Sequence, residues 1–168
     1  MRVLGIDPGL RITGYGAIEY GVRGARLVQA GILTPDVRAP LERRLAELHA
    51  EMGVVLASTR PDVVVVEELW TAYKNPTTAV LMGHARGVLY LAANASGVRV
   101  RGLAHSLVKR ALTGSGAARK EQVKRIVMLQ LGLLTPPEPD DVSDALALAL
   151  ALANIERTEA VLARAVTA

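Results

Sequence analysis

Four acidic side chains lie at the ends of three apolar segments of this 168-residue sequence. Asp7 follows the segment 2–6, Glu67 follows four consecutive valines, and Asp141 and Asp144 lie near the start of a segment rich in Ala and Leu. Burying a carboxylate at such a position costs free energy unless a cation shares the site. The four acids together therefore predict a site for divalent cations with oxygen ligands.

A cluster of this kind is suited to phosphodiester hydrolysis. Two divalent ions about 4 Å apart activate a water molecule and stabilise the leaving oxygen without a covalent intermediate. The sequence contains no cysteine, and its histidines, His49, His84 and His105, show no metal-ligand spacing. No credible Ser/His/Asp or Cys/His nucleophile system is present either. The expected cofactor is therefore Mg²⁺, with two ions in each active site and Mn²⁺ as the alternative ion.

Each acid also fits an ordinary structural role. The residue types at 140–144 are favoured at helix N-termini, where they act as caps or as partners of the helix dipole. Asp7 precedes Pro8-Gly9 and fits a turn aspartate, and Glu67 with Glu68 fits a strand end that reaches water. The metal interpretation rests on their joint occurrence, because carboxylates that share a site without a cation repel one another and destabilise the fold.

The hydrophobic pattern predicts the elements that must position these acids. Apolar and β-branched runs predict five strands, the first three of which form a meander, and apolar residues at helical spacing predict five helices. The predicted strands cover residues 2–6, 13–20, 26–33, 63–66 and 98–103, and the predicted helices cover residues 40–59, 77–95, 106–113, 120–131 and 141–163. This order predicts an α/β fold in which helices flank both faces of a five-stranded mixed sheet. The length fits a single domain, residues 1–168.

Side-chain alternation separates the two adjacent glutamates. Alternate side chains of a strand share a face, so Glu67 shares a face with Val65 while Glu68 points to the opposite face. If the two acid-bearing strands are parallel neighbours at the centre of the sheet, Asp7 and Glu67 meet at its carboxyl edge. Open sheets bind ligands at that edge.

The last predicted helix carries the other two acids. Residues 144–153 alternate Ala and Leu with the period of a strand, but both residue types are strong helix formers, so we predict a buried helix that is apolar on all sides. Asp141 and Asp144 are three residues apart and share one face of this helix. That spacing favours Asp141 over its neighbour Asp140 as a member of the cluster.

Positive charge is concentrated in one part of the sequence. Residues 99–125 contain eight basic side chains and one acidic side chain, a net charge of +7, whereas the remainder contains 12 basic and 15 acidic residues. Such a segment is typical of a protein that binds a phosphate backbone, and a solvated helical surface is the alternative. Three of the four lysines, Lys109, Lys120 and Lys124, lie here, and either Lys109 or Lys120 could neutralise a scissile phosphate.

Two of the five aromatic residues lie shortly after Glu67. Trp70 and Tyr73 could stack on unpaired bases, and packing back onto the domain is the alternative. With the neighbouring Lys74 and the basic segment, the predicted DNA-binding residues are Trp70, Tyr73, Lys74, Lys109, Arg110, Arg119, Lys120 and Lys124.

Nothing in the sequence predicts a membrane segment. No apolar run approaches the roughly 18 residues needed to span a bilayer. Met1 is followed at once by a predicted strand rather than by the pattern of a signal peptide. We therefore expect a soluble cytoplasmic protein with no membrane partner.

Several short motifs occur along the chain in a specific order. The first are Gly5-Ile6-Asp7-Pro8-Gly9 and Thr13-Gly14-Tyr15-Gly16, and the later ones are Val66-Glu67, Ala85-Arg86-Gly87, Val108-Lys109, the segment 114–120 and the segment 141–147. In this order and spacing they resemble the motifs of the RuvC family of Holliday junction resolvases. The first motif alone is weakly specific, whereas the ordered set is highly specific and covers nearly the whole chain.

The resemblance implies a ribonuclease H-like fold and assigns roles to the matching residues. The acids that match the family's metal ligands are Asp7, Glu67, Asp141 and Asp144, and the matching active-site lysines are Lys109 and Lys120. Trp70 lies where the family usually has a Phe that acts on junction bases. The doubled acids at 67–68 and 140–141 leave the match ambiguous by one residue, which alternation and helical spacing resolve as described above.

The resemblance also implies partners and a role. The family resolves four-way DNA junctions in recombination and repair, as homodimers that nick two opposed strands symmetrically within a branch-migration machinery. Two equivalent cuts require two equivalent sites, as in a two-fold dimer. The candidate interface is the helix 77–95, whose available apolar residues are Val80, Leu81, Ala85, Val88, Leu89 and Ala92; an ordinary core helix is the alternative.

Two other functions compete with this interpretation. A non-catalytic junction-binding module would use the basic segment without hydrolysis, but uncompensated acids at Asp141 and Asp144 would repel phosphate. An actin-like or sugar-kinase ATPase also opens with a strand, an Asp and a hairpin. Such enzymes close two comparable domains over the nucleotide, and 168 residues supply only one.

Overall fold

The computed structural model describes residues 1–68 and 76–166. In chain order, the strands are β1 (Arg2–Asp7), β2 (Thr13–Gly21), β3 (Gly24–Leu33), β4 (Val63–Glu67) and β5 (Arg99–Leu103). The helices are α1 (Leu41–Thr59), α2 (Pro76–Ala95), α3 (His105–Thr113), α4 (Lys120–Leu131) and α5 (Asp140–Val166). The predicted α/β class and five-stranded mixed sheet are confirmed. Both acid-bearing strands extend one residue further than predicted, to Asp7 and Glu67 themselves.

The sheet has the strand order β3-β2-β1-β4-β5. The first three strands form an antiparallel meander, and β1 pairs in parallel with β4, which pairs in parallel with β5. Gly5 is opposite Val65 and Ile6 is opposite Val66, so Asp7 and Glu67 occupy the next position of their strands. The central parallel pair that the site requires is therefore present, and its carboxyl edge carries both acids.

Helices cover both faces of the sheet, and each face has its own apolar core. On one face, Val3 and Val65 pack with residues of α3, α4 and α5. On the other face, Leu4 and Val64 pack with residues of α1 and α2. Alternate residues of β1 and β4 thus enter different cores, as the period of a strand requires. By the same alternation, the side chains of Asp7 and Glu67 lie on the face of Val3 and Val65, which α5 covers.

Three glycines allow α5 to lie directly on the sheet. A Cβ on Gly5 would lie 1.9 Å from the carbonyl oxygen of Ala145, and one on Gly14 would lie 2.1 Å from the carbonyl oxygen of Asp141. A Cβ on Gly16 would lie 2.5 Å from a methyl carbon of Leu146. Because no side chain separates the two layers here, the start of α5 is brought close to the end of β1.

The Ala/Leu-rich segment forms the helix that its composition predicted. Ala145 to Ala153 are all buried, whether Ala or Leu, in the middle of α5. A helix that is apolar on all sides is buried on all sides. The small Ala side chains of α5 let neighbouring elements pack close to the helix. Within residues 1–68 and 76–166, no helix has the length and apolar character needed to cross a bilayer.

The apolar residues of α2 divide between the core and the surface. Ala85, Leu89 and Ala92 are buried in the core, so the prediction that these three are available for an interface is wrong. They pack towards α1 and β5 because α2 covers this side of the sheet. Val80 is exposed, and Leu91, which was not among the predicted interface residues, is exposed as well.

Candidate active site

Asp7 is the most perturbed acid of the described chain. Burial, followed by the negative charges of Glu67, Asp144 and Asp141, raises the pKa of Asp7 to about 8. Lys120 acts in the opposite direction but does not cancel these effects. The charges of Glu67, Asp144 and Asp141 act on Asp7, so the four predicted acids lie in one neighbourhood of the fold.

Glu67 is fixed at both its main chain and its side chain. A guanidinium nitrogen of Arg86 donates a hydrogen bond to the main-chain carbonyl oxygen of Glu67. Nδ1 of His105 is 2.8 Å from Oε1 of the Glu67 carboxylate. Glu68 lies on the other face of the sheet, next to Gly102. The geometry therefore agrees with the choice of Glu67 over Glu68.

The two adjacent aspartates at the start of α5 have different surroundings. Asp140 accepts hydrogen bonds from Lys124 at 2.6 Å and pairs with Lys120 at 3.1 Å. The hydrogen bond from Lys124, and then that from Lys120, lowers the pKa of Asp140. Asp141 instead contributes to the negative potential at Asp7. This difference favours Asp141 as the residue directed to the acidic cluster.

Lys120 connects the acidic cluster to the basic segment. Its Nζ is 2.8 Å from Oδ2 of Asp144, in addition to its contact with Asp140. Burial lowers the pKa of Lys120, but its hydrogen bonds to Asp144 and Asp140 outweigh burial, so the pKa is raised. The side chain is therefore a permanent cation at the edge of the carboxylates.

An open cleft lies beside these groups. Its polar wall consists of Glu67, His105, Lys109, Lys120 and Asp144, and its apolar wall consists of Val108, Val123, Ala147 and Leu148. Within residues 1–68 and 76–166, the ammonium of Lys109 makes no hydrogen bond or ion pair. Two lysines and two acids thus face one concave surface, the arrangement expected where a phosphate meets cations.

The donor set suits hard divalent cations. Four carboxylates supply oxygen ligands of the kind that Mg²⁺ and Mn²⁺ prefer, and burial together with the neighbouring acids raises the pKa of Asp7, an effect that a bound cation would oppose. In the described part of the chain, no three acidic or histidine side chains already stand at the separations of a closed metal site.

Comparison with known proteins places this site in a family. The sequence profile of "Crossover junction endodeoxyribonuclease RuvC" matches residues 3–152. A protein of that name from Rhodopirellula baltica is 43% identical over 148 residues, which cover 88% of this chain and 83% of the relative. The chain belongs to the RuvC family. The family consists of metal-dependent nucleases that act as crossover junction endodeoxyribonucleases.

Solved RuvC structures agree with this assignment. The structure of Thermus thermophilus RuvC superimposes with a TM-score of 0.88 at 36% identity, covering 95% of this chain and 97% of that protein. The same protein in complex with a Holliday junction substrate gives a TM-score of 0.86 at 34% identity, covering 94% of this chain and 96% of that protein. The ribonuclease H-like RuvC fold is confirmed, and membership favours a nuclease over the ATPase and non-catalytic alternatives.

The remaining predicted residues lie at different distances from the cluster. Trp70, Tyr73 and Lys74 fall outside the described residues. Arg110 is exposed on α3, and Arg119 is exposed just before α4. Lys124 is paired with Asp140, and only 18% of its side chain is exposed, so this pair would have to open before the ammonium could contact a phosphate.

Two residues that contact Glu67 were not predicted as site residues. The histidines lack metal-ligand spacing, so the sequence does not predict a role for His105, and Arg86 occurs only as part of a RuvC-like motif. A signal for His105 was available, because it lies just beyond β5 and strand β5 pairs in parallel with β4. Its side chain could therefore be placed near the carboxyl end of β4. No pattern in the sequence indicated that Arg86 would contact the carbonyl of Glu67.

Proposed function

We propose that this protein resolves four-way DNA junctions by metal-dependent hydrolysis of two opposed strands. The observation that carries the proposal is the convergence of Asp7, Glu67, Asp141 and Asp144 beside a cleft that also contains Lys109 and Lys120. Acids alone would repel a phosphate backbone, and lysines alone would bind it without cutting. A RuvC relative whose structure is solved in complex with a Holliday junction substrate supports the choice of DNA.

The four acids are proposed to hold two Mg²⁺ ions, for which Mn²⁺ can substitute. When bound, such ions activate the attacking water and stabilise the leaving oxygen. Asp7 and Glu67 supply ligands from adjacent parallel strands, and Asp141 and Asp144 supply them from one turn of α5. Ligands on strands and a packed helix are held more rigidly than ligands on loops, which suits a reaction that depends on position.

The two lysines are proposed to have different tasks. Lys120 is paired with Asp144 and Asp140, so it orients these two carboxylates. Its positive charge also reduces their repulsion of the incoming phosphate. Lys109 lines the same cleft and has no partner among the described residues, so its ammonium is available to a non-bridging oxygen of the scissile phosphate. Charge developing on that oxygen is then stabilised in a partly enclosed site.

Binding of the junction is assigned to the basic segment and the residues after β4. Arg110, Arg119 and Lys124 are proposed to contact phosphates away from the cut, and Lys74 to add a further phosphate contact. Trp70 and Tyr73 are proposed to stack on bases that the junction leaves unpaired, each stack being worth about 1 to 3 kcal/mol.

Symmetric cutting requires two copies of the site, so the active unit is proposed to be a homodimer. The exposed residues of α2, including Val80 and Leu91, are the proposed contact surface, with partly exposed Leu81 and Val88 beside them. The protein is proposed to act in the cytoplasm, as a single domain over residues 1–168, in recombination and repair with a branch-migration machinery.

A synthetic four-way junction tests the proposal. We expect paired nicks at symmetric positions of two opposed strands in the presence of Mg²⁺, no cutting with EDTA, and little cutting of a linear duplex of the same sequence. Asp36→Asn, a change in an exposed loop residue, should cut like the unmodified protein. Equal cutting of junction and duplex, or cutting in EDTA, would contradict the proposal.

A further inference from the structure

The contact between His105 and Glu67 joins two elements at the edge of the active site. His105 is the first residue of α3, and Glu67 is the last residue of β4. Their side chains are 61% and 30% exposed, and the distance from Nδ1 to Oε1 is 2.8 Å. Both residues line the cleft that contains Lys109 and Lys120. The contact is therefore part of the cleft surface rather than of the apolar core.

The chemistry of the two groups fixes the direction of this hydrogen bond. An ionised carboxylate only accepts hydrogen bonds, so the proton must lie on Nδ1 of His105, which donates to Oε1 of Glu67. In the neutral ring, Nε2 then carries the lone pair. Among the described residues, no hydrogen bond reaches Oε2 of Glu67, so one carboxylate oxygen is occupied and the other is available.

The main chain of Glu67 is held independently of His105. One nitrogen of the Arg86 guanidinium donates to the carbonyl oxygen of Glu67, and another donates to the Tyr90 hydroxyl at 3.0 Å. The guanidinium carbon also lies 5.4 Å from the centre of the Tyr90 ring. Because Arg86 is itself fixed by Tyr90, the end of β4 stays in place if His105 is changed. His105 therefore acts on the direction of the carboxylate and not on the strand.

We propose that His105 is a positioning residue for Glu67. It engages Oε1 and so selects one side-chain rotamer of Glu67, which leaves Oε2 free to act as a ligand for the cation shared with Asp7. The inference rests on the proposed role of Glu67 as a metal ligand. Partners that orient a ligand typically alter metal affinity about 10- to 100-fold when they are removed.

Metal binding measured without DNA tests this role directly. Free Mn²⁺ can be followed by its electron paramagnetic resonance signal while the full-length protein is titrated. We expect His105→Ala to bind Mn²⁺ about 10-fold more weakly. His105→Asn should stay within about threefold of the unmodified protein, because the Asn amide nitrogen lies near the position of Nδ1. His105→Gln, whose donor is one bond further out, should resemble His105→Ala.

Two controls separate positioning from general damage. His49→Ala changes an exposed histidine on α1 and should leave Mn²⁺ affinity unchanged. Far-ultraviolet circular dichroism establishes that each variant is folded, and junction binding in EDTA should be the same for all of them. Cleavage by His105→Ala should need more Mg²⁺ for half-maximal rate and recover most of its rate at saturating Mg²⁺, since affinity rather than chemistry is altered.

Glu67→Gln distinguishes failure of this inference from failure of the proposed function. If the Mn²⁺ affinity of Glu67→Gln equals that of the unmodified protein, Glu67 is not a metal ligand, and the positioning role of His105 is then wrong as well. If Glu67→Gln binds weakly but His105→Ala binds normally, the ligand assignment stands and the positioning role is overturned. The role is also overturned if folded His105→Asn binds as weakly as His105→Ala. Loss in His105→Ala with recovery in His105→Asn supports it.

Discussion

The carbonyl oxygen of Asp141 occupies the space that a side chain on Gly14 would need, 2.1 Å from the position of a Gly14 Cβ. Gly14 is the β2 partner of Asp7, so the start of α5 lies directly beside the end of β1. This contact between a glycine and a main-chain carbonyl brings the acids of α5 to the acid of β1. The arrangement of the four acids thus depends on a residue that has no side chain.

Gly14→Ala should therefore damage both stability and activity. An added methyl group cannot fit without moving α5, and overpacking of this kind costs about 1 to 3 kcal/mol. Displacement of Asp141 should also lower junction cleavage by at least about 10-fold, because small misplacements in an active site have large effects. Urea denaturation and single-turnover cleavage measure the two effects.

Gly53→Ala is the matched control for that change. Gly53 lies inside α1, and a Cβ there would meet no heavy atom within 4 Å. Alanine is the better helix former, so the free energy of unfolding should rise by about 0.5 to 1 kcal/mol with cleavage unchanged. If Gly14→Ala were as harmless as Gly53→Ala, the close approach of α5 would not be what positions the cluster.

The raised pKa of Asp7 predicts how the metal-free protein responds to pH. The pKa is about 8 in the folded protein and near 3.8 in an ordinary aspartate, so between these values folding takes up a proton. The contribution of Asp7 therefore makes the metal-free protein less stable as pH rises through this range. Asp7→Asn removes this effect and should raise the melting temperature in EDTA near pH 8 by about 4 to 8 °C, equivalent to about 2 kcal/mol.

The difference between the two proteins should shrink as the pH is lowered towards 4, because Asp7 then also begins to bind a proton in the unfolded chain, where its pKa is near 3.8. Differential scanning calorimetry in EDTA across this range measures it. A stabilisation by Asp7→Asn that does not vary with pH would show that the charge of Asp7 is not its cause.

Lys109 and Lys120 should respond differently to removal. Lys109→Ala should lower cleavage about 100-fold at saturating Mg²⁺ while leaving the melting temperature within about 1 °C, because the ammonium makes no hydrogen bond or ion pair within residues 1–68 and 76–166. Lys120→Ala should lower cleavage. It should also weaken Mn²⁺ binding, but by less than the removal of an acid does, since the lysine is proposed to orient Asp144 rather than to bind the metal. Its effect on stability should stay below about 1 kcal/mol, as expected for solvent-exposed ion pairs. Normal cleavage by folded Lys109→Ala would remove that residue from the site.

Lys124 provides a test of the basic segment outside the active site. Lys124→Ala should weaken junction binding and reduce the slope of log affinity against log salt by about one, as for one lost phosphate contact. Asp140→Asn releases Lys124 from its partner and should have the opposite effect on affinity, which makes it the matched variant. An unchanged salt slope in Lys124→Ala would leave the pair with a structural role only.

Much of the fold was predictable because local pattern and tertiary structure agree. The valines of β4 and the Ala/Leu pattern of α5 both favour complete burial, and both segments are buried. Alternation also gave the correct face for Glu67, because a strand has an exact period of two. Boundaries differ by one to three residues, as in α5, which begins one residue earlier than predicted, at Asp140, and ends three residues later, at Val166.

The supporting contacts of the site could not be derived in the same way. Arg86 reaches Glu67 from α2, and Lys124 reaches Asp140 from α4, so both contacts depend on how helices pack against the sheet. The division of α2 into core and surface residues has the same origin: Ala85 and Val80 are both apolar, and only packing decides which one faces the sheet. Sequence periodicity gives the faces of an element but not its partners.

The most direct test of the central claim is junction binding and cleavage by Asp7→Asn, measured on the same synthetic four-way junction. The account predicts that the dissociation constant in the absence of metal changes less than about threefold, since the DNA contacts lie elsewhere, while Mg²⁺-dependent cleavage falls at least about 1000-fold. Loss of binding with intact cleavage per bound complex would contradict the claim that these four acids form the metal site of a junction-cutting nuclease.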